Sequence, residues 1–151
     1  MRLCLFQPDI AANVGAAIRS AACFGAGLDI IEPCGFALTS REITRVAMDY
    51  RTSHPPVRHV NWTAFERSEE RKQGRTVLLT TKAATPLYDF VFQPTDMIIT
   101  GRESAGAPDE VHNDADARII IPMAPEARSL NVVVSAAIAM SEMRRQIGWP
   151  T

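Results

Sequence analysis

The chain has 151 residues, a length that favours one domain and is sufficient to bury a core without disulfides or metals. Its content of 46% hydrophobic and 22% charged residues is typical of ordinary soluble globular proteins. The formal net charge of −1 argues against a uniformly basic nucleic-acid-binding protein. A local basic face stays possible, because arginine and histidine outnumber the acids between positions 41 and 59, although a mixed solvated surface would have the same composition.

Cysteine usage and the N-terminal sequence indicate where the protein works. Cys4, Cys23 and Cys34 are odd in number and lack C-x-x-C spacing, which predicts reduced, buried thiols in a cytoplasm and argues against a zinc site or a disulfide framework. Met1 leads directly into a strand-like stretch, so we expect no signal peptide. No apolar run approaches the roughly 20 residues needed to cross a bilayer.

The first part of the chain predicts strands that alternate with helices. Proline or glycine ends each of these segments, and Asn13 is a candidate N-cap of the first helix. Glycine at 25 and 27 is a typical stop for that helix. The elements are a strand at Arg2–Gln7, a helix at Asn13–Phe24 and a strand at Leu28–Glu32.

Two capping boxes predict the next helices. Thr39 precedes Glu42 and Thr63 precedes Glu66 at the spacing at which a hydroxyl and a carboxylate bind free helix amides reciprocally. They predict helices near 40–48 and 63–73, with a short strand at Val57–Trp62 between them.

The second part of the chain is dominated by three apolar runs, at Thr76–Thr80, Asp96–Thr100 and Arg118–Pro122. Apolar runs without alternation are typical of parallel strands covered on both faces. A final helix is predicted at Ser129–Ile147, ending before Gly148. The fold class is therefore α/β, with one mostly parallel sheet, helices on both faces and a single domain over residues 1–151.

Polar or glycine-bearing loops follow the three late strands. In open α/β sheets ligands bind beyond the carboxyl ends of the strands, so these loops are expected to converge on one crevice unless they are ordinary turns. Glycine at 101 would let the backbone approach a ligand closely. Gly101 and Gly106 have P-loop spacing, but Ala107 and Pro108 replace the required lysine and hydroxyl residue. The Rossmann, serine-hydrolase and zinc-protease motifs are also missing from the sequence.

Three motifs occur in order along the chain: NVGAAIR at 13–19, ITGRESAG at 99–106, and IPM at 121–123 followed by RSLN at 128–131. Together they resemble the ordered motifs of SPOUT-superfamily methyltransferases. Within that group the chain is similar to the tRNA (cytidine/uridine-34) 2′-O-methyltransferase family, and the similarity runs from end to end. Any one motif is weak evidence, whereas three in order with correct spacing are strong evidence.

The resemblance implies a SPOUT fold with a C-terminal trefoil knot, a homodimer and S-adenosylmethionine (AdoMet) as the cofactor, without a metal. It implies 2′-O-methylation of the ribose of the wobble nucleotide, with the tRNA anticodon stem-loop as the partner. The motifs leave open the same reaction on another RNA, such as rRNA. A non-catalytic RNA- or nucleotide-binding module that kept the fold is a further alternative.

The resemblance also assigns candidate site residues by position. Arg19 is the candidate catalytic residue; we expect it to hold a phosphate and to stabilise charge on the attacking 2′-oxygen, because a guanidinium with a pKa above about 12 is a poor base. Its alternative role is that of an exposed helix arginine. The expected cofactor-binding residues are Leu79, Gly101, Ile121, Ser129 and Leu130. The candidate substrate-binding residues are Asn13, Lys82, Glu103, Arg128 and Asn131, with helix capping, loop support or simple solvation as their alternatives.

One departure from the family pattern occurs at the start of the last helix. Family members usually have Asn-Leu-Ser-Asn or a similar sequence after the arginine–serine pair, whereas valine stands at positions 132, 133 and 134 here. This change puts substrate identity and dimer contacts in question more than cofactor binding. The helix is apolar nearly all round, which favours burial in the core, in a dimer interface, or in both.

Overall fold

The structure is a computed structural model that describes residues 1–39, 41, 45 and 55–151. Most of the predicted helix near 40–48, and Glu42 of its capping box, lie outside the described residues; Arg41 and Arg45 are described and are helical. The strands are β1 Arg2–Phe6, β2 Gly27–Ile31, β3 Val57–His59, β4 Thr76–Leu79, β5 Thr85–Pro86, β6 Met97–Thr100 and β7 Ala117–Ile120. The α-helices in the described part are α1 Ala11–Phe24, α2 Trp62–Glu66, α3 Asp109–Asp114 and α4 Val132–Ile147.

The strands form one sheet in the order β3-β2-β1-β6-β4-β7-β5, and every neighbouring pair is parallel. The registry pairs Thr100 of β6 with both Leu5 of β1 and Leu79 of β4. The carboxyl ends of these three strands therefore lie level with one another. The predicted α/β class is confirmed, while the C-terminal knot stays a prediction.

Both faces of the sheet are covered, which explains the uninterrupted apolar runs. Leu3 and Leu5 of β1 face the cluster formed with α1 and α4, whereas Cys4 and Phe6 face the cluster that contains Trp62 and Phe65 of α2 together with Val111 of α3. Successive residues of a strand point to opposite faces, so each strand contributes to both clusters. Full burial of one such leucine or phenylalanine contributes about 1.5–3 kcal/mol to the free energy of unfolding.

A buried carboxylate ties three strands together. Asp29 of β2 is fully buried. Its Oδ2 accepts a 2.6 Å hydrogen bond from Arg2 Nε of β1, and its Oδ1 lies 2.8 Å from His59 Nε2 of β3. Removal of Arg2 would leave the buried carboxylate without its permanently charged partner, which is more costly than the loss of a surface ion pair. Glu70 lies close enough for Asp29, His59 and Glu70 to resemble a metal-binding group, with all ligand atoms within 4.8 Å. Because Arg2 and His59 already occupy the Asp29 oxygens, we interpret the group as an ion-pair network.

The predicted first residues of three helices are wrong. Helix α1 starts at Ala11, so Asn13 lies in its first turn and does not cap it. Asn61, rather than Thr63, caps α2 through a 2.8 Å hydrogen bond from the amide of Ala64 to its Oδ1. Helix α2 also ends at Glu66 and does not continue to 73. Helix α4 starts at Val132 and not at Ser129, because Asn131 caps it.

The predicted helix ends agree better with the structure. Gly25 ends α1 with φ of 60° and Gly148 ends α4 with φ of 83°, a backbone conformation that favours glycine. The predicted strand Val57–Trp62 is shorter than expected, because β3 stops at His59 and the chain enters α2. The prediction of buried thiols is right for Cys4 and wrong for Cys23, which is exposed near the end of α1. Of the helices in the described part, none is long and apolar enough to traverse a bilayer.

Candidate functional site

A cavity of about 530 Å³ opens at the carboxyl ends of β4, β6 and β7. Its wall consists of the loops that follow these strands, together with the starts of α1 and α4. All five positions predicted to bind the cofactor line it: Leu79, Gly101, Ile121, Ser129 and Leu130. Four of the five predicted substrate-binding positions line it as well: Asn13, Lys82, Glu103 and Asn131.

Two predicted site residues do not line the cavity of this chain. Arg128 is exposed in the loop before α4. Arg19, the predicted catalytic residue, is exposed on α1, six residues beyond Asn13, or about 9 Å further along the helix axis. One chain alone therefore brings the predicted cofactor-binding residues together but does not bring Arg19 into their cavity.

Gly101 is required by the geometry of its own loop. A Cβ atom at this position would lie 2.5 Å from the amide nitrogen of Ala107 and 2.5 Å from the carbonyl carbon of Gly106. The loop closes tightly because the backbones of Arg102 and Gly106 exchange two hydrogen bonds, of 3.1 and 2.9 Å. The sequence analysis expected Gly101 to allow a ligand close to the backbone. The structure shows that Gly101 also allows the backbone of Gly106 and Ala107 to approach it closely.

Asp9 fastens this loop to the segment that leads into α1. Its carboxylate accepts hydrogen bonds from Arg102 at 2.6 Å and from the backbone amide and hydroxyl of Ser104. The hydrogen bond from Arg102, followed by those from Ser104, lowers the pKa of Asp9 to about 2. Nothing in the sequence marked Asp9 as part of the site, because its partners lie more than 90 residues away in the chain.

Glu103 and Asn13 form a second connection between the same segments. One oxygen of Glu103 accepts a 2.7 Å hydrogen bond from the amide of Asp9, and the other accepts a 3.0 Å hydrogen bond from Asn13 Nδ2. Asn131 Nδ2 in turn donates to Asn13 Oδ1 at 3.4 Å. These contacts favour loop support for Asn13, Glu103 and Asn131 over direct contact with a substrate.

Several polar side chains in the cavity wall were not expected from the sequence. The hydroxyl of Thr100 is buried and has no hydrogen-bond partner among the described residues. Thr80 Oγ1 lies 3.5 Å from His112 Nε2 and accepts a 3.2 Å hydrogen bond from the amide of Lys82. Burial, followed by the charges of Lys82 and Arg118, lowers the pKa of His112. His112 stands in an acidic stretch without a motif, so the sequence carried no signal for it.

Comparison with known proteins identifies the family. The model of the SpoU rRNA Methylase family matches residues 1–141. The chain belongs to this family. It is 48% identical to the tRNA (cytidine(34)-2′-O)-methyltransferase of Beijerinckia indica, over 97% of this chain and 91% of that protein.

Two solved structures are similar to this chain. One, from work on the 2-OH methylation of C/U34 on tRNA, has a TM-score of 0.87 and 33% identity, and the match covers 97% of this chain and 95% of the other. The second is the SpoU methyltransferase AviRb from Streptomyces viridochromogenes in complex with AdoMet. It has a TM-score of 0.86 and 25% identity, over 97% of this chain and 60% of that one. The SPOUT resemblance predicted from the motifs is therefore confirmed.

Proposed function

We propose that this protein transfers a methyl group from AdoMet to the ribose 2′-oxygen of tRNA nucleotide 34, a cytidine or uridine. The relative from Beijerinckia indica carries the cytidine-34 activity in its name, and the match spans nearly all of both chains. The observation that carries the proposal is the cavity at the carboxyl ends of β4, β6 and β7, where open parallel sheets bind their ligands. The sequence motifs predicted the same function.

The cavity has the size and lining expected of a cofactor site. Its volume lies within the range of about 300–1,000 Å³ usual for small-molecule sites, which are mostly apolar with a few placed polar groups. Leu79, Ile121 and Leu130 contribute to the apolar part of the wall. Bound here, AdoMet would supply an activated methyl group. Gly101 and Ser129 would hold it through the loops that follow β6 and β7.

We further propose that the active form is a homodimer in which Arg19 of one copy serves the cavity of the other. Arg19 is exposed and outside its own cavity, so a second copy offers a route by which it can approach the reacting sugar. Apolar side chains around the cavity mouth give such a dimer a surface to bury: Ile10, Leu130 and Val134 are 47%, 41% and 49% exposed. Valine at 134 is consistent with an apolar contact where family members have a polar one.

Arg19 would then act as a positioned cation. Its planar guanidinium suits a bidentate contact with a phosphate next to the target ribose, and its charge would stabilise the 2′-oxygen as that oxygen loses its proton. Lys82 and Arg128 are exposed cations that flank the cavity loops, and we propose that they contact phosphates of the anticodon stem-loop. Residues 1–151 would form one methyltransferase domain that acts on tRNA in the cytoplasm.

The proposal is tested by nucleoside mass spectrometry of tRNA from cells that lack this protein. We expect loss of the 2′-O-methyl group at nucleotide 34, and its return when purified protein and AdoMet are added to that tRNA. Arg19→Lys should lower the rate of methyl transfer by at least roughly tenfold, because lysine keeps the charge but not the planar fork. A missing methyl group in rRNA with an unchanged wobble nucleotide would overturn the proposed substrate. If tRNA and rRNA from these cells both keep all of their 2′-O-methyl groups, the result would support a non-catalytic module.

A further inference from the structure

His112 occupies an unusual place for a histidine that has no part in the proposed methyl transfer. It is buried in the last turn of α3, and it lines the cavity proposed to hold the cofactor. A ligand held in the cavity would therefore lie near this residue. A change in the charge of His112 would act on what the cavity holds.

The ring of His112 is linked to one wall of the cavity through Thr80. Thr80 Oγ1 accepts a hydrogen bond from the amide of Lys82 and lies 3.5 Å from His112 Nε2. A threonine hydroxyl has one hydrogen, which it can donate to Nε2 only when that nitrogen carries no proton. We assign the neutral tautomer with its proton on Nδ1, in which Nε2 accepts from the hydroxyl while the hydroxyl oxygen accepts from the amide of Lys82.

The charged groups around His112 favour its neutral form. Lys82, on the loop after β4, and Arg118, on β7, both oppose a positive charge on the ring, as does burial of the ring itself. Asp109 on α3 acts in the opposite direction with a smaller effect. The net result is a lowered pKa for His112, which favours the neutral ring over the protonated one.

We propose that His112 is a positioning residue whose neutral ring supports the Thr80–Lys82 wall of the cavity, and that its protonation disfavours the positively charged cofactor relative to the uncharged product. This inference rests on the proposed function. AdoMet carries a positive sulfonium, whereas its product, S-adenosylhomocysteine, carries a neutral thioether on an otherwise equal skeleton. Disturbance of the wall weakens both ligands alike, but an added positive charge in the wall weakens the sulfonium ligand more. Binding of AdoMet would accordingly favour the unprotonated ring.

Calorimetric titration of the full-length protein with each ligand separates these two effects. The dissociation constants of AdoMet and S-adenosylhomocysteine are measured at about pH 7.5 and in steps down to about pH 4.5, because the pKa of His112 lies below the ordinary histidine value of about 6.5. For the wild type we expect the ratio of the AdoMet constant to the S-adenosylhomocysteine constant to rise on acidification by roughly three- to tenfold, the range for two unit charges in one partly solvated cavity. Titration of the ligands themselves is common to all variants and cancels when the variants are compared.

Two substitutions of the same residue give the matched controls. His112→Gln keeps an acceptor for the Thr80 hydroxyl but cannot gain a proton. It should therefore bind both ligands at pH 7.5, and on acidification its ratio should change only as far as titration of the ligands themselves changes it. His112→Leu removes the acceptor, so both ligands should weaken together with no change in their ratio. Melting temperatures measured without ligand check that each variant is folded.

The outcomes distinguish this inference from the proposed function. If wild type and His112→Gln show the same dependence of the ratio on pH, His112 is not the group that selects against the sulfonium and the inference is overturned. If His112→Leu binds both ligands as tightly as the wild type at pH 7.5, the positioning role is overturned while the proposed function stands. If the folded wild type binds neither ligand at pH 7.5, the proposed function falls as well.

Discussion

Asn131 caps α4 at the rim of the cavity, and its replacement by alanine measures what this cap contributes. Asn131 Oδ1 accepts hydrogen bonds from the amides of Val133 at 2.9 Å and Val134 at 3.2 Å. Alanine leaves both amides without these acceptors, and the loss of such a cap costs about 0.5–2 kcal/mol of the free energy of unfolding. Since two amides are involved and one belongs to a buried residue, we expect a value of about 1–2 kcal/mol. For a chain of this length that corresponds to a fall in melting temperature of roughly 2–8 °C.

The control is Asn131→Asp, which separates the cap from the side-chain contact with Asn13. Aspartate keeps an oxygen that accepts from the same amides, and its charge is favourable at a helix N-terminus. It loses the Nδ2 donor that reaches Asn13 Oδ1 at 3.4 Å. Thermal unfolding followed by circular dichroism should therefore show Asn131→Asp near the wild type and Asn131→Ala clearly below it. Equal losses in both variants would refute capping as the contribution of Asn131 and would assign its effect to the contact with Asn13.

Three other substitutions have expected outcomes. Gly101→Ala places a Cβ atom 2.5 Å from the amide of Ala107, so calorimetry should show affinity for AdoMet reduced by roughly tenfold or more; unchanged affinity would mean that the loop can open without cost. The pKa of Asp9 is lowered to about 2, so its charge stabilises the fold above the unfolded pKa of about 3.9, and this effect is lost as pH falls towards 2. Asp9→Asn should therefore make the free energy of unfolding less dependent on pH between about 4 and 2. An unchanged pH dependence would contradict the lowered pKa of Asp9. Asn61→Ala should lower the free energy of unfolding by about 1 kcal/mol and Thr63→Ala by much less; the reverse order would restore the capping box.

The parts of the fold that the sequence predicted are those with a local signal. Ile98 and Ile99 face opposite sides of the sheet and are both fully buried, so an uninterrupted apolar run was a reliable sign of a central parallel strand. Helix starts were less predictable, because serine and asparagine are both good N-caps. Whether Ser129 or Asn131 caps α4 depends on the tertiary path of the backbone before the helix, and the structure shows Asn131. Strand β5 has two residues and α3 begins with two acids, so neither has the apolar periodicity on which the predictions relied.

The candidate site divides in the same way. Residues that match motif positions, such as Leu79 and Ser129, were predicted because motifs are contiguous in sequence. Asp9 and His112 depend on partners that are 93 and 32 residues away, and no short pattern records such a contact. The loops after the three late strands were expected to converge, and they do, because β6, β4 and β7 are neighbours in the sheet. The strand order itself was not predicted from the sequence.

The position of Arg19 predicts that it serves the cavity of the partner subunit, which a substitution present in both subunits cannot test. Arg19 lies outside the cavity of its own chain, whereas Gly101 lies in it. If Arg19 serves the cavity of a second copy, a heterodimer of Arg19→Ala and Gly101→Ala subunits contains one complete site: an intact cavity on the first subunit and an intact arginine on the second. If Arg19 serves its own cavity, each site of the same heterodimer lacks one of the two residues.

Mixing the two variants, at an AdoMet concentration that fills the wild-type cavity but little of the Gly101→Ala cavity, therefore distinguishes action between subunits from action within one. After exchange of subunits at equal concentrations, half of the dimers are heterodimers with one working site in two, so about a quarter of the wild-type rate of tRNA methylation should return. Each variant alone, and the mixture before exchange, should show only a small residual rate, and gel filtration checks that both variants remain dimeric. A mixture that exchanges subunits but regains no activity would contradict the proposal that Arg19 acts across the dimer. The homodimer would then be a matter of stability alone, and Arg19 would have to reach the sugar through a rearrangement of α1 within its own chain.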